Sequence, residues 1–219
     1  MQDSARKLSD NANRKPKGRP SGPESANIRA DILDSAELLF ARKGYAATSL
    51  REIAEQVGVN AAMVHYYFGS KHTLLRHVLE RTLEPLADAI AEMKTRDDAP
   101  VSEVVRLLLQ NFSRHPSLPA LVAREVMLPG GVMQDHFLEY LAPRLGGSVP
   151  ELIQKEQSGG RLHSDLDPRI SALIILSLCA FPFIAREMAE PALDISYDEA
   201  GLSRLEQHIG RLLDEGFSP

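Results

Sequence analysis

Hydrophobic residues recur every three or four positions along most of the chain, which is the period of an amphipathic α-helix. The first stripe begins after Ile28, stops near Gly44 and contains Ile32, Ala36, Leu39 and Phe40. No segment shows the strict alternation of apolar and polar residues that indicates a half-buried β-strand, and the sequence has no internal repeat. The pattern therefore predicts an all-α fold of about nine helices.

Two short helices are predicted next, each with its own start or stop signal. Ser49 and Glu52 have the spacing of a capping box, so a second helix should begin there and end at Gly58. Asn60 is suited to cap a third helix that runs from residue 61 to about residue 67. The two helices are therefore joined by a tight turn.

Small and apolar residues around that turn have the spacing of a helix-turn-helix. Ala54 lets the two helices approach closely, Gly58 takes the turn, and Val64 packs the second helix against the first. Because Val64 points inward, residues about 100° away around the third helix must point elsewhere. We expect Phe68 to turn back into the core and the outer face to carry Asn60, Ala61, His65 and Tyr66.

The rest of the sequence predicts a larger helical domain. Ser70 can cap a long fourth helix, which Pro85 should disturb. Further helices are predicted at 101–112, 121–127, 132–145, 151–157, 168–188 and 202–213. The longest apolar run, 172–185, is shorter than the roughly 20 residues that span a bilayer, so no membrane partner is expected.

Charge is distributed unevenly between the two ends of the sequence. The net charge is −5, but residues 1–72 contain 11 Lys and Arg against 8 Asp and Glu, whereas residues 73–219 contain 14 against 22. The basic end suits a polyanion such as a nucleic acid, and the acidic end does not. Chance variation among solvated faces would give the same asymmetry, so charge alone leaves the partner open.

Composition favours a reducing compartment. The chain has 219 residues, of which 43% are hydrophobic, enough to bury a large core. Cys179 is its only cysteine, which excludes a disulfide framework and argues against a cysteine-ligated zinc site. The polar, basic N-terminus has no apolar segment behind it, so we expect no secretory signal and predict a cytoplasmic location.

Three ordered motifs lie between Phe40 and Leu75. They are Gly44, Tyr45 and Thr48, then Ile53, Ala54, Gly58 and Val59, and finally Tyr66, Tyr67, Phe68 and Lys71. In their order and spacing they resemble the DNA-binding region of the tetracycline-repressor (TetR) family of bacterial transcription regulators. The resemblance covers residues 28–80, and beyond them the chain is similar to the family only in being helical.

Residues 1–23 are predicted to be a disordered basic arm, because they are polar and basic with almost no apolar side chains. The resemblance implies a helix-turn-helix domain at 24–72, a helical effector-binding and dimerisation domain at 73–219, and a function. The implied function is that of a homodimeric repressor, which a small-molecule effector releases from a pseudo-palindromic operator in double-stranded DNA. No cofactor is implied.

The resemblance also implies DNA contacts. Thr48 would contact a phosphate, the outer face of the third helix would enter the major groove, and Lys71 would pair with the DNA backbone. The candidates are Arg14, Lys15, Lys17, Arg19, Thr48, Ser49, Asn60, Ala61, His65, Tyr66, Tyr67 and Lys71. Simpler interpretations stay open: an ordinary surface histidine at 65, a purely structural Tyr67, and a solubilising tail at 14–19.

Hydrogen-bonded base readout is confined to few of these candidates. Ala61 and Ala62 offer only methyl groups, so this readout falls on Asn60, His65 and Tyr66.

Two roles are expected of the C-terminal domain. The apolar segments 168–188 and 202–213 should form a dimer interface, and an effector should bind between helices. The candidate pocket residues are Phe112, Arg124, Met127, Phe137, Tyr140 and Phe183, each of which could equally be plain core.

Motifs for catalysis are missing from the sequence. It contains no G-x-S-x-G, phosphate-cradling glycine loop or H-E-x-x-H. His136 and Glu139 are three residues apart, but no second such pair completes a two-metal site, so we predict neither catalytic nor metal-binding residues. The alternative function is a helical metabolite-binding protein or enzyme without DNA binding, which would lack salt-dependent duplex binding.

Overall fold

Twelve α-helices and two π-helical turns make up the regular structure of residues 23–96 and 99–217, which are the residues that the computed structural model describes. No β-strand occurs among these residues, and the all-α prediction is confirmed. Interruptions divide several of the predicted segments, which raises the number of separate α-helices in the described ranges to twelve. The predicted basic arm, apart from residue 23, lies outside the described residues.

The second and third helices have the caps that the sequence predicts, and the first helix ends near Gly44 as expected but begins at Pro23, earlier than predicted. Ser49 Oγ accepts a hydrogen bond from the Glu52 amide at 3.1 Å, and Asn60 Oδ1 accepts one from the Ala62 amide at 2.9 Å. Gly58 ends the second helix in the left-handed conformation, with φ 76°, which favours glycine. The helices are α1 (Pro23–Lys43), α2 (Leu50–Val57) and α3 (Ala61–Phe68).

Packing of α2 against α3 follows the predicted steric pattern. Ala54 and Val64 are buried, and Phe68 turns back into the core as expected. These side chains join the same hydrophobic core as Ile32 and Phe40 of α1. Burial of one face of α3 fixes its opposite face toward solvent.

The fourth helix, α4 (Lys71–Met93), is longer than predicted. Its cap is the expected one, since Ser70 Oγ accepts from the Thr73 amide at 3.0 Å. Pro85 lies inside the helix on an exposed position, so the prediction that it interrupts the helix is wrong. Proline removes one backbone donor, but the apolar stripe on either side of it stays buried and holds the helix in place: Leu79, Leu83, Leu86 and Ile90.

The C-terminal domain contains eight further helices. They are α5 (Val101–Arg114), α6 (Leu118–Val122), α7 (Gln134–His136), α8 (Ala142–Leu145), α9 (Ser148–Ser158), α10 (Pro168–Ile184), α11 (Arg186–Leu193) and α12 (Glu199–Phe217). A π-helical turn, Ala123–Met127, follows α6, and a second, Phe137–Leu141, connects α7 to α8.

The apolar segment predicted as one helix at 168–188 is divided. It bends by 76° between α10 and α11. Within the described ranges no single helix is long and apolar enough to cross a membrane, although α10 and α11 together meet that test on length and composition.

Large apolar side chains remain exposed on the last three helices. Leu173 and Phe181 of α10 are 64% and 61% exposed, and Leu212 of α12 is 60% exposed. Others with substantial exposure are Ile170, Ile174, Ile184, Met188 and Leu193. These side chains are the exposed apolar patch of the last three helices, and exposed apolar surface favours a partner that covers it.

Candidate nucleic-acid interface

The outer face of α3 presents polar and aromatic side chains to solvent. Tyr66 is 63% exposed, and Asn60 and His65 are also exposed. Ala61 is half-buried, and so is Tyr67, whose ring packs against the core and meets the Tyr66 ring edge-on at 5.3 Å. The face therefore carries three side chains able to form hydrogen bonds outward.

Two of these side chains have part of their hydrogen-bonding capacity committed within the protein. Asn60 uses Oδ1 to cap α3, which leaves its amide nitrogen as a donor. His65 Nδ1 lies 2.8 Å from the carbonyl oxygen of Gly69. The atoms still able to bond outward are therefore the Asn60 amide nitrogen and the other ring nitrogen of His65.

Thr48 lies at the start of α2, but its hydroxyl is turned inward in this structure. Its side chain is 1% exposed, and its hydroxyl lies 2.9 Å from the Gly44 carbonyl oxygen and 3.3 Å from that of Leu39. The hydroxyl is therefore committed to the end of α1 and does not face solvent. Ser49, by contrast, is exposed at the start of α2.

Lys71 is held by the protein's own backbone. Its Nζ donates to the carbonyl oxygens of Tyr45 at 2.8 Å and Thr48 at 2.9 Å, and lies 4.2 Å from the centre of the Tyr45 ring. An ammonium group has three donors, and these contacts engage two of them well. In this structure Lys71 anchors the loop between α1 and α2, which differs from the DNA pairing expected of it.

A buried carboxylate joins this loop to the C-terminal domain. Glu125 is 5% exposed, and its Oε1 accepts from the Tyr45 amide at 2.9 Å. Arg124 lies beside it, with Cδ 3.3 Å from the position that a Cβ at Gly44 would occupy. Sequence reasoning missed Glu125 and assigned Arg124 to an effector pocket, because partners 80 residues apart leave no local signal.

A second connection runs through α1, α4 and the corner after α5. Arg81 donates to Asp34 at 2.7 Å and to Glu37 at 3.1 Å. Glu37 is 7% exposed and also lies 3.2 Å from Nδ1 of His115. Glu37 therefore connects α1 both to α4 and to the corner that follows α5.

A polar ladder ties α4 to the segment from α7 to α8. Tyr140 donates to Glu84 at 2.8 Å and Arg144 donates to Asp88 at 2.5 Å, and one turn earlier Nε2 of His136 lies 3.1 Å from Glu80 without forming a hydrogen bond. Both partners recur every four residues, so each set lies on one helix face. The hydrogen bond from Tyr140 to Glu84 raises the pKa of the tyrosine, because the neutral phenol is the donor.

The six predicted pocket residues lie in different surroundings. Phe112 and Phe183 are buried, with ring centres 5.7 Å apart. Met127 is 66% exposed, Phe137 is half-buried, and Tyr140 belongs to the ladder on α4. Of the six, Phe183 lines a groove between α5 and α12 that has a volume of about 430 Å³. The groove is also lined by Leu109, Gln110, Leu202 and Leu205.

Among the described residues, no group of three His, Cys, Asp or Glu side chains could hold a metal ion. Cys179 is fully buried, and burial raises the pKa of its thiol to about 12. A thiol in that environment stays protonated and is a poor nucleophile.

Comparison with known proteins supports the interpretation of this surface. Residues 32–78 match the family model of the TetR bacterial regulatory proteins, and residues 98–213 match that of the tetracyclin repressor-like C-terminal domains. The HTH-type transcriptional repressor NicS of Pseudomonas putida is 27% identical over 162 residues, which cover 72% of this chain and 76% of NicS. The probable regulator YttP of Bacillus subtilis is 32% identical over 117 residues, half of this chain and 56% of YttP.

Solved structures share the fold. The ketosteroid regulator KstR2 of Mycobacterium tuberculosis has a TM-score of 0.70 at 16% identity, covering 87% of this chain and 95% of KstR2. A transcriptional regulator of Saccharomonospora viridis, solved in complex with choline, has a TM-score of 0.62 at 22% identity, covering 89% and 99%. The C-terminal family model alone spans more than half of the chain. The chain therefore belongs to the TetR family and is a helix-turn-helix, DNA-binding transcriptional regulator.

Proposed function

We propose that this regulator is a repressor, which binds a pseudo-palindromic operator as a homodimer and leaves it when a small molecule binds. The observation that carries the proposal is the outer face of α3, where Asn60, His65 and Tyr66 are exposed together. Two relatives are named as repressors: NicS of Pseudomonas putida, and KstR2 of Mycolicibacterium smegmatis. Action on DNA also agrees with the cytoplasmic location predicted from the sequence.

Dimerisation is supported by the exposed apolar patch on α10, α11 and α12. Burial of apolar surface contributes about 25 cal/mol per Å², so these side chains favour a partner that covers them. Two-fold symmetry would place two α3 helices on successive major grooves, about 34 Å apart. A second copy of this chain therefore accounts for both the patch and a two-fold operator.

The groove between α5 and α12 is the proposed effector site. Its volume of about 430 Å³ is within the range of small-molecule sites, and it joins apolar walls to polar rims. Leu202→Trp would fill the groove and should abolish release by an effector while leaving operator binding intact. Arg204→Trp, on an exposed position of the same helix, is the matched control.

Coupling between the two sites would run through α4. The first residue of α4, Lys71, contacts the loop between α1 and α2. The middle of α4 carries Glu84, which accepts from Tyr140 in the segment between α7 and α8. A ligand that favours a different position of α4 must weaken operator binding, and the operator must weaken ligand binding by the same factor.

The basic arm is proposed to add sequence-independent contacts through Arg14, Lys15, Lys17 and Arg19. Each phosphate contact contributes roughly 0.9 to the slope of log affinity against log salt. Deletion of residues 1–22 should flatten that slope, and an unchanged slope would show that the arm does not touch DNA.

The test of the proposed function begins with footprinting on the DNA upstream of the protein's own gene. Tyr66→Ala should abolish operator binding without changing thermal stability, because the ring is mostly exposed. Val132→Ala, another exposed apolar position far along the chain from α3, serves as the control. The alternative, a metabolite-binding protein or enzyme without DNA binding, would show no salt-dependent affinity for any duplex.

A further inference from the structure

His65 is fixed by two hydrogen bonds to the same glycine. Its carbonyl oxygen accepts from the Gly69 amide at 2.8 Å, and its ring Nδ1 lies 2.8 Å from the Gly69 carbonyl oxygen. A carbonyl oxygen can only accept, so Nδ1 must carry the hydrogen. The neutral ring then has no hydrogen on Nε2, which becomes an acceptor.

The conformation of Gly69 puts its carbonyl in that place. Its φ is 71° and its ψ is −60°, and the Ser70 amide donates to the Phe68 carbonyl at 2.8 Å. These values describe a γ-turn with positive φ at its central residue, which is rare and strained for residues with a side chain. The turn therefore requires glycine and directs its carbonyl back toward α3.

We propose that His65 is a specificity-determining residue, whose Nε2 accepts a hydrogen bond from the amino group of one base in each half-site. In the major groove only cytosine N4 and adenine N6 offer such donors. Phosphate oxygens only accept, so Nε2 of this tautomer has nothing to bond there. The inference rests on the proposed operator binding and goes beyond it in naming the atom and the two bases it selects.

The neighbouring side chains on α3 have a different character. Asn60 offers an amide donor outward, because its oxygen caps the helix. The Tyr66 hydroxyl can donate and accept. His65 is therefore the side chain on this face whose preference is restricted to a donor base.

The experiment measures operator affinity for every single base-pair change in a half-site, made symmetrically in both halves. Full-length wild type, His65→Phe and His65→Gln are compared at one salt concentration and at pH 8. Wild type should prefer a cytosine or adenine at one position by roughly a hundredfold, because each symmetric change removes two hydrogen bonds between protein and base, one in each half-site, and each is worth roughly tenfold. His65→Phe should lose that preference and keep those at other positions, whereas His65→Gln, whose side-chain oxygen can accept, should keep part of it.

Gly69→Ala tests the positioning of the ring. No atom lies within 4 Å of the added methyl group, so the substitution acts through backbone conformation and not through a clash. It should weaken the preference at the same base pair and at no other.

Each outcome decides the matter. If His65→Phe lowers operator affinity equally for every base-pair variant, His65 contacts a phosphate and the inference is overturned. Full base preference in Gly69→Ala would also overturn it. Absence of operator binding by the wild-type protein would instead refute the proposed function.

Discussion

Removal of the Glu125 carboxylate should loosen the connection between the two domains. In Glu125→Ala the partly buried Tyr45 amide loses its acceptor, and a donor left without a partner inside a protein costs about 1–3 kcal/mol. For a chain of this size each kcal/mol corresponds to about 2–4 °C in Tm, so a loss of about 2 kcal/mol lowers Tm by about 4–8 °C. Glu125→Gln keeps an oxygen acceptor but not its charge, and should lose about half as much.

Thermal unfolding followed by circular dichroism, at one protomer concentration, measures this effect. Glu139→Ala is the matched control, because Glu139 is exposed on the second π-helical turn. If Glu125→Ala unfolds within about 0.5 kcal/mol of that control, which is the usual range of surface substitutions, the carboxylate does not tie the domains together.

Three further predictions concern α10, α4 and the buried thiol. Leu173→Glu should yield a folded monomer by light scattering, because Leu173 lies on the exposed apolar patch; a dimer of unchanged affinity would exclude this face. Burial lowers the pKa of His77 below 6.5, so its contribution to stability is present above pH 6.5 and is lost as pH falls. His77→Gln should therefore flatten the decline of Tm between pH 7 and pH 5, and parallel curves of Tm against pH for the variant and the wild type would refute this. Cys179, with a pKa of about 12, should react with a thiol reagent at pH 8 only as the protein unfolds, and rapid labelling of the native protein would contradict its burial.

The sequence predicted features that depend on near neighbours. Ser49, Asn60 and Ser70 cap their helices as expected, because a cap is set by residues two or three positions away. The inward direction of Val64 and Phe68 followed from helical geometry alone. That geometry also placed His65 and Tyr66 outward.

Features that depend on distant partners leave no local signal in the sequence. The roles of Thr48 and Lys71 came from a resemblance, which identifies residues but not the carbonyl groups that surround them here. Glu125 meets Tyr45 across 80 positions, and no local pattern announces such a pair. Pro85 was expected to interrupt α4, because burial of the stripe around it cannot be weighed from one segment.

The two π-helical turns have a consequence for how α6 and the segment after α7 are wound. Each turn contains a residue that links to another part of the molecule: Glu125 lies in Ala123–Met127, and Tyr140 lies in Phe137–Leu141. A π-helical turn holds one more residue than an α-helical turn, and such turns are rare. Rewinding one as α-helix would rotate the residues that follow it by about 100°. The directions in which Glu125 and Tyr140 meet Tyr45 and Glu84 therefore depend on the π-helical winding of their segments.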